Sequence, residues 1–176
     1  MKKYLLALPA VLLLSSCGVT QPARVAVPDI PFSADAEISY SGETLSAQIT
    51  RSDAEQWEFR VTAPYALEGL VMTLDGDSTA LSMLGMESVS DVSGDEVSMA
   101  KAVVSAYEAA VGQLSDAAVT EKGYSVSGSS EAGGYTVALD KDCVPVTLTA
   151  DCGRLTVELS SFRQLPPAER EAQIIS

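Results

Sequence analysis

Most of this chain alternates apolar and polar side chains with a period of two, and this pattern constrains its fold more than any other feature. The clearest run spans residues 32–40, where polar residues separate Phe32, Ala34, Ala36, Ile38 and Tyr40. Such a run predicts a strand with one apolar, buried face (the dry face) and one polar, solvent-exposed face (the wet face). Similar short runs recur along the chain, separated by turn residues. We therefore predict a mainly β (α+β) fold with about nine antiparallel strands.

One segment breaks the period of two. Between about Asp95 and Leu114 the apolar residues recur at spacings of three and four, which predicts a single amphipathic helix. Ser93 and Glu96 stand three residues apart at its start, as in a capping box. Glu108 falls outside the apolar stripe, so we place it on another face of the helix.

A flat sheet of this size would be roughly 43 Å wide, and one helix would cover only a small part of its dry face. The sheet must therefore curl around the inserted helix as a single, strongly curved open half-barrel. Gly85–Val92 remains as an extra lid, and the space left unfilled becomes an apolar cavity. We predict that these residues line it: Tyr40, Trp57, Phe59, Leu70, Met72, Met83, Met86, Tyr107, Tyr135 and Val137.

The arrangement of strands resembles the LolA/LolB-like half-barrel lipoprotein carriers over about residues 32–162. The similar pieces are the opening strand Phe32–Tyr40, Trp57–Arg60 followed by Pro64, Leu70–Leu74 turning at Asp75 and Gly76, and the closing strand Gly153–Leu159. The resemblance implies that an acyl chain, a lipid or a lipoprotein binds in the cavity.

The N-terminus decides where the protein resides. Lys2 and Lys3 precede an apolar run, Tyr4–Leu14, that is too short to span a bilayer as a helix. Two small residues, Ser15 and Ser16, then precede Cys17, and this pattern resembles the lipobox of bacterial lipoproteins. The resemblance implies that the leader is removed and that the thiol of Cys17 carries acyl chains such as palmitate.

We accordingly divide the chain into four parts. Residues 1–16 are a signal peptide, and 17–31 are the lipidated cysteine and a flexible, proline-containing tether. Residues 32–162 form the half-barrel domain, and 163–176 a C-terminal tail. The protein is expected at the extracytoplasmic face of the cell membrane, or at the outer membrane if the cell has two membranes.

Composition restricts the chemistry. The formal net charge is −13, which argues against nucleic acid as a partner and against electrostatic adhesion to anionic lipids. There is no histidine and no asparagine, so the usual Ser-His-Asp and Cys-His catalysts and histidine-ligated zinc are excluded. Ser98 and Lys101 match a serine–lysine signature, but its companion motifs are absent. We predict a non-catalytic protein without cofactor or metal.

The cysteines beyond the lipobox are Cys143 and Cys152. They lie at opposite ends of one predicted strand, about 25 to 30 Å apart, whereas a disulfide needs α-carbons within about 7 Å. We therefore predict two unpaired thiols.

A second function class stays open alongside the carrier. A packed core without a cavity would make the domain a tethered module that binds a protein or the cell wall through a sheet edge or loop. In either case we expect a monomer that reaches the membrane through the lipid on Cys17.

Overall fold

The computed structural model of this chain describes residues 23–76, 78–89, 95–112 and 115–166. These ranges contain twelve strands, one α-helix and two short 3-10 turns, Tyr65–Leu67 and Cys152–Arg154. The strands and the helix are β1 (Ala23–Val25), β2 (Phe32–Tyr40), β3 (Glu43–Arg51), β4 (Gln56–Ala63), β5 (Val71–Asp75), β6 (Ser78–Met83), β7 (Met86–Val89), α1 (Asp95–Ala110), β8 (Ser115–Val119), β9 (Gly123–Ser130), β10 (Gly133–Asp140), β11 (Pro145–Ala150) and β12 (Leu155–Gln164).

All twelve strands join in a single antiparallel sheet. Their order is β1-β8-β9-β10-β11-β12-β2-β3-β4-β5-β6-β7, which leaves β1 and β7 as its two edges in the described residues. Helix α1 is inserted between β7 and β8 and packs against β5 and β9–β12. The predicted curved, open half-barrel with one inserted helix is therefore confirmed, although its described residues form twelve strands where about nine were predicted.

The dry faces of the strands form continuous rows beneath the helix. In one row the register places buried apolar residues opposite each other on six successive strands: Val126, Val137, Leu148, Val157, Ile38 and Leu45. Opposed side chains in antiparallel strands lie on the same face and pack together. The period-two pattern of the sequence thus becomes a core shared by distant segments.

Small residues let the helix approach the sheet closely. Ala100, Ala102, Ala106 and Ala110 of α1 are all buried. A stripe of alanines brings the helix backbone near the strands, so that the helix itself fills much of the concave side. The predicted helix end at Leu114 was wrong, because α1 ends at Ala110 and Gly112 has a left-handed φ of 69°. The proposed cap residue Ser93 lies outside the described residues.

The structure corrects the tether predicted over residues 17–31. From Ala23 onward this segment belongs to the domain, because β1 pairs with β8 and Val27 bridges to Val111. Val27 is only 1% exposed. The alternation of Val25 and Val27 with Arg24 and Ala26 was short and was obscured by the surrounding prolines.

Three other boundaries also differ. The serines and glycines of residues 129–134 favour a loop, but this segment is mostly strand, because β9 and β10 pair up to a tight turn at Glu131 and Ala132. Part of the predicted lid, Met86–Val89, is strand β7. Strand β12 runs past residue 162 to Gln164, and buried Leu165 donates its N–H to the carbonyl of Pro31.

Candidate functional site

A groove of about 430 Å³ opens beside the turn that joins β2 to β3. Its walls come from the adjacent ends of these two strands, from the segment after β4, and from the N-terminal half of α1. Its apolar lining consists of Ile38, Tyr40, Leu45, Pro64, Leu67 and Met99. Its polar lining consists of Ser41, Glu43 and Thr44. An apolar hollow with a few polar groups on one side is typical of a small-ligand site.

The core supplies one wall of the groove. Ile38 and Leu45 lie opposite each other on β2 and β3, and both are buried. Met99, also buried, contributes to the lining from α1. These residues are held by the packing of sheet against helix, so this wall is preformed.

Tyr40 forms another wall, and the turn between β11 and β12 holds it in place. Its ring packs on Gly153, where a Cβ atom would come within 2.2 Å of the ring. Gly153 also has φ of 60°, so both the close approach and the backbone conformation favour glycine there. The hydroxyl group of Tyr40 lies 3.7 Å from Sγ of Cys152, and the N–H of Ser41 donates to the carbonyl of Gly153 at 2.6 Å.

The segment after β4 closes the groove on a third side. Leu67, at the end of a 3-10 turn, is partly buried against the core and donates its N–H to the carbonyl of Pro64 at 2.9 Å. Two residues earlier, Tyr65 is 90% exposed. This segment therefore presents Leu67 to the groove while the ring of Tyr65 lies in water.

Only Tyr40 of the ten predicted cavity residues lines this groove. Two others are partly exposed, namely half-buried Met83 and Leu70, which packs against the core. Met86 is exposed at the turn between β6 and β7. The remaining six are buried in the core: Trp57, Phe59, Met72, Tyr107, Tyr135 and Val137. Their contact with a ligand stays a prediction.

Sequence reasoning missed most of the groove. Ile38 and Leu45 were assigned to strands but not to a site, although they flank the Ser41–Gly42 turn on the dry face. That position was a usable signal, because dry residues next to a hairpin turn lie at the end of a half-barrel. Leu67 gave no periodic signal, since it lies in an irregular segment.

A cluster of buried charge lies at the opposite end of β3. Arg51, 1% exposed, donates to both carboxylate oxygens of Glu108 at 2.7 and 3.0 Å. It also donates to the carboxylate of Asp29 at 2.9 Å and to the carbonyl of Ile30 at 3.1 Å. Nε1 of Trp57 donates to Glu108 at 3.0 Å. The cluster thus ties together β3, β4, the helix and the N-terminal segment.

Aromatic rings surround this arginine. Its guanidinium carbon lies 5.9 Å from the ring centroid of Trp57 and 5.8 Å from that of Tyr107, within range of a cation–π interaction. Phe32 contacts both rings, at centroid distances of 5.8 and 5.4 Å. The result is a closed end of the half-barrel, with a satisfied ion at its centre.

The cluster raises the pKa of two of its groups, Arg51 and Tyr107. Burial on its own lowers the pKa of Arg51, but the hydrogen bonds and charges of Glu108 and Asp29 outweigh burial and raise that pKa. Burial also raises the pKa of the Tyr107 hydroxyl, and the nearby Arg51 charge only partly opposes this. Arg51 therefore stays charged and Tyr107 stays neutral across the physiological range, which suits a structural role.

The positions of Arg51 and Glu108 correct the sequence analysis, which left both out of the core. Arg51 is followed by polar residues that favour a loop, yet it continues the dry-face alternation of Leu45, Ala47 and Ile49. Extending that period by one step would have placed it inside. Glu108 is only partly exposed and faces Arg51.

Comparison with known proteins returned similar folds but no family. No protein-family model and no curated protein matches the chain. An uncharacterised conserved protein from Thermus thermophilus is 13% identical, with a TM-score of 0.46 over 81% of this chain and 85% of that one. A LolA superfamily protein, NE2245 from Nitrosomonas europaea, is 9% identical, with a TM-score of 0.41 over 82% and 91%. Neither similarity bears on the ligand.

Two further observations concern the cysteines and the helices. Cys143 and Cys152 are unpaired, as predicted, because they flank opposite ends of β11. Within the described ranges, no helix has the length and hydrophobicity needed to cross a bilayer.

Proposed function

We propose that this protein is a non-catalytic, lipid-anchored protein of the extracytoplasmic membrane face, and that its groove binds one acyl chain of a lipid or lipoprotein. The anchor is the lipid on Cys17, and the bound chain enters at the end of β2 and β3. The groove is the observation that supports ligand binding, and the lipobox-like N-terminus is the observation that supports the anchor.

The size and lining of the groove favour a slender apolar ligand. Its volume, about 430 Å³, lies in the lower part of the range for ligand pockets, roughly 300–1,000 Å³. Leu45, Leu67 and Met99 offer aliphatic and thioether surface, and Met99 is adaptable in shape. A wide or rigid ligand would have to displace the helix, whereas a single chain would not.

The rim favours one kind of head group. Glu43 lines the groove beside Ser41 and Thr44, so an acidic side chain stands where the polar end of the ligand would emerge. Two like charges at short range repel, which disfavours a free fatty acid. An acyl chain attached through an ester or amide, as in a lipid or lipoprotein, fits this rim better.

The test is native mass spectrometry on the full chain, purified from bacterial membranes in mild detergent. We expect a permanent mass increase from the lipid on Cys17 and a second adduct, with the mass of a whole lipid, that collisional activation removes. Leu67→Arg places a charge on the groove wall and should abolish the removable adduct while the permanent one stays. Leu84→Arg is the matched control, because Leu84 is 85% exposed and lies outside the groove.

Two results would count against the proposal in different ways. A removable adduct that survives Leu67→Arg at wild-type level would place the ligand elsewhere. A protein without the permanent increase, which stays in the soluble fraction like a Cys17→Ser variant, would remove the anchor. Thermal unfolding of both arginine variants checks that each remains folded.

A second candidate is a tethered module that binds a protein or the cell wall. The observation that favours it is the packed concave face, where α1 buries Met99, Val103 and Tyr107 against the sheet. A chain with no removable adduct and no uptake of a fluorescent acyl amide would support this candidate. Pull-down from the cell envelope with the lipidated protein would then be the next measurement.

A further inference from the structure

We propose that the β1–β8 edge of the sheet faces the membrane. The edge is held there by the short linker between Cys17 and β1, residues 18–22, which we call the leash. This orientation rests on the proposed lipid anchor. The groove and its ligand play no part in it.

The first step is the length of the leash. Residues 23–31 belong to the folded domain, because β1 pairs with β8 and Val27 is buried beside Val111. Asp29 adds an ion pair with Arg51. Only residues 18–22 then separate the acylated cysteine from the sheet. Six Cα–Cα steps span at most about 21 Å, so Ala23 cannot lie further than that from the lipid attachment point.

The second step is where the chain enters the sheet. Ala23 lies opposite Ala117 in the antiparallel pair, so β1 begins beside the half of β8 that leads to Val119. Val119 is two residues beyond Ala117, or roughly 7 Å. The turn of residues 120–122 follows it, and the 141–144 turn is its neighbour, because Gly123 pairs with Asp140. The leash therefore ends at this corner of the domain.

The third step is the surface chemistry of that corner. Val119 is 65% exposed, one of few large apolar side chains in water among the described residues. The exposed basic residues Arg24, Lys122 and Lys141 lie near an equal number of acidic residues at this corner: Glu121, Asp140 and Asp142. The corner is thus roughly neutral in a chain of net charge −13. A neutral corner with an exposed valine is repelled less by anionic lipids than an acidic surface is.

The test reads membrane proximity at two positions of the full, lipidated chain in phosphatidylcholine vesicles. Val119→Cys and Leu84→Cys, each with Cys143 and Cys152 changed to alanine, carry an environment-sensitive fluorophore. Leu84 is the matched control, because it is exposed on the turn between β6 and β7, next to the other edge. We expect nitroxide-labelled lipids to quench the label at Val119 and to leave the label at Leu84 unquenched.

A second variant tests the leash itself. A long Gly-Ser insertion between Pro22 and Ala23 keeps Cys17 and the domain intact, and it should abolish the quenching at Val119 without releasing the protein from vesicles. Quenching that persists after the insertion would overturn the proposal, as would equal quenching at both positions. Quenching that depends on protein concentration but not on nitroxide lipid would indicate a second copy on this edge and would overturn it too.

These outcomes separate the orientation from the anchor. A chain that fails to float with vesicles refutes the anchor, and the orientation falls with it. A chain that floats but lacks quenching at Val119 keeps the anchor and refutes the orientation alone. Circular dichroism on each labelled variant confirms that the sheet is intact.

Discussion

The two ends of strand β3 differ in how completely other residues cover them. At one end, Leu45 opens onto the groove beside Glu43 and Thr44. At the other end, Arg51 is enclosed by Glu108, Asp29 and the rings of Trp57 and Tyr107. The same alternation supplies a dry residue at each end, so the difference comes from what covers the strand.

The comparison shows that closure of this sheet depends on the N-terminal segment as well as on the helix. At the closed end, residues 27–31 cover the core through Val27 and fix Arg51 through Asp29 and Ile30. At the groove end, the segment after β4 covers one side through Leu67, and Tyr40 packs on the turn between β11 and β12, but the hollow between them stays open. A rigid end and an open end on the same strands suit a protein that receives a ligand without unfolding.

The largest expected effect is at the closed end. Arg51→Met keeps the apolar stem but leaves the carboxylate of Glu108 partly buried without its ion, and breaking a buried pair costs about 3 kcal/mol. Leu67→Ala at the groove should cost about 1 kcal/mol, because that side chain is only half-buried. Urea unfolding of both variants measures the difference in free energy of unfolding.

The matched control for charge is Arg60→Met. Arg60 pairs with Glu58 at 2.9 Å, but it is 53% exposed, and such a surface pair contributes about 0.5 kcal/mol. If Arg51→Met lowered the free energy of unfolding no more than Arg60→Met does, the ion pairs of Arg51 would not stabilise the closed end. The contrast between the two ends would then be one of shape alone.

The next effect is a loss of stability at alkaline pH, and it also belongs to the closed end. Burial raises the pKa of Tyr107, so the folded state keeps a proton that the unfolded state releases above about pH 10. Stability is therefore full below that pH and falls as the pH rises through the raised pKa, by up to about 1.4 kcal/mol per pH unit for one such group.

Tyr107→Phe should flatten this decline when the free energy of unfolding is followed by urea titration from about pH 8 to about pH 11. Tyr65→Phe is the control, because Tyr65 is 90% exposed and its removal should leave the slope unchanged. Tyr135, whose pKa is also raised by burial, should leave part of the decline in place. An identical slope in wild type and Tyr107→Phe would mean that the closed end admits water.

The fold was more predictable than the site, for a physical reason. Alternation along residues such as Phe32–Tyr40 reports burial directly. One helix is too small to cover the dry face of a flat sheet with so many strands, so the sheet had to be curved. The short strands β1 and β8 carry too few alternating residues to stand out, because pairing rather than pattern stabilises them. Small residues in 129–134 favour a loop by composition, yet backbone hydrogen bonding to β10 overrides that preference.

The groove and the closed end could not be separated from sequence, because both use dry-face residues. Trp57 and Tyr107 were predicted to line a cavity, and their contact with a ligand stays a prediction. Both are buried in the core and contact each other where α1 lies close to the sheet. The alanines that allow this close approach look ordinary in an amphipathic helix. The two-residue alternation of β3 could have placed Arg51 in the core. Its pairing with Glu108, however, depends on how the helix lies across the sheet.

The smallest expected effect lies on Thr79, in the row that begins at the closed end. The register runs from Arg51 to Trp57, Leu74 and Thr79, so one row contains a fully bonded ion and a buried hydroxyl. Oγ1 of Thr79 has no hydrogen-bond partner among the described residues, and a buried polar group without one is costly. Thr79→Val keeps the shape, removes that cost, and should stabilise the protein by up to about 1 kcal/mol.

Its control is Thr73→Val on β5, where the side chain is exposed and the change should stay within about 0.5 kcal/mol. Urea unfolding of the two variants gives the comparison, and its sign is what matters. A destabilised Thr79→Val would mean that the hydroxyl is hydrated in solution, and that water reaches the row three strands beyond Arg51. In that case water would be excluded only from the immediate surroundings of Arg51, and only those few residues would differ from the groove end. A stabilised variant would extend the dry region across four strands, with Arg51 as its single charged member.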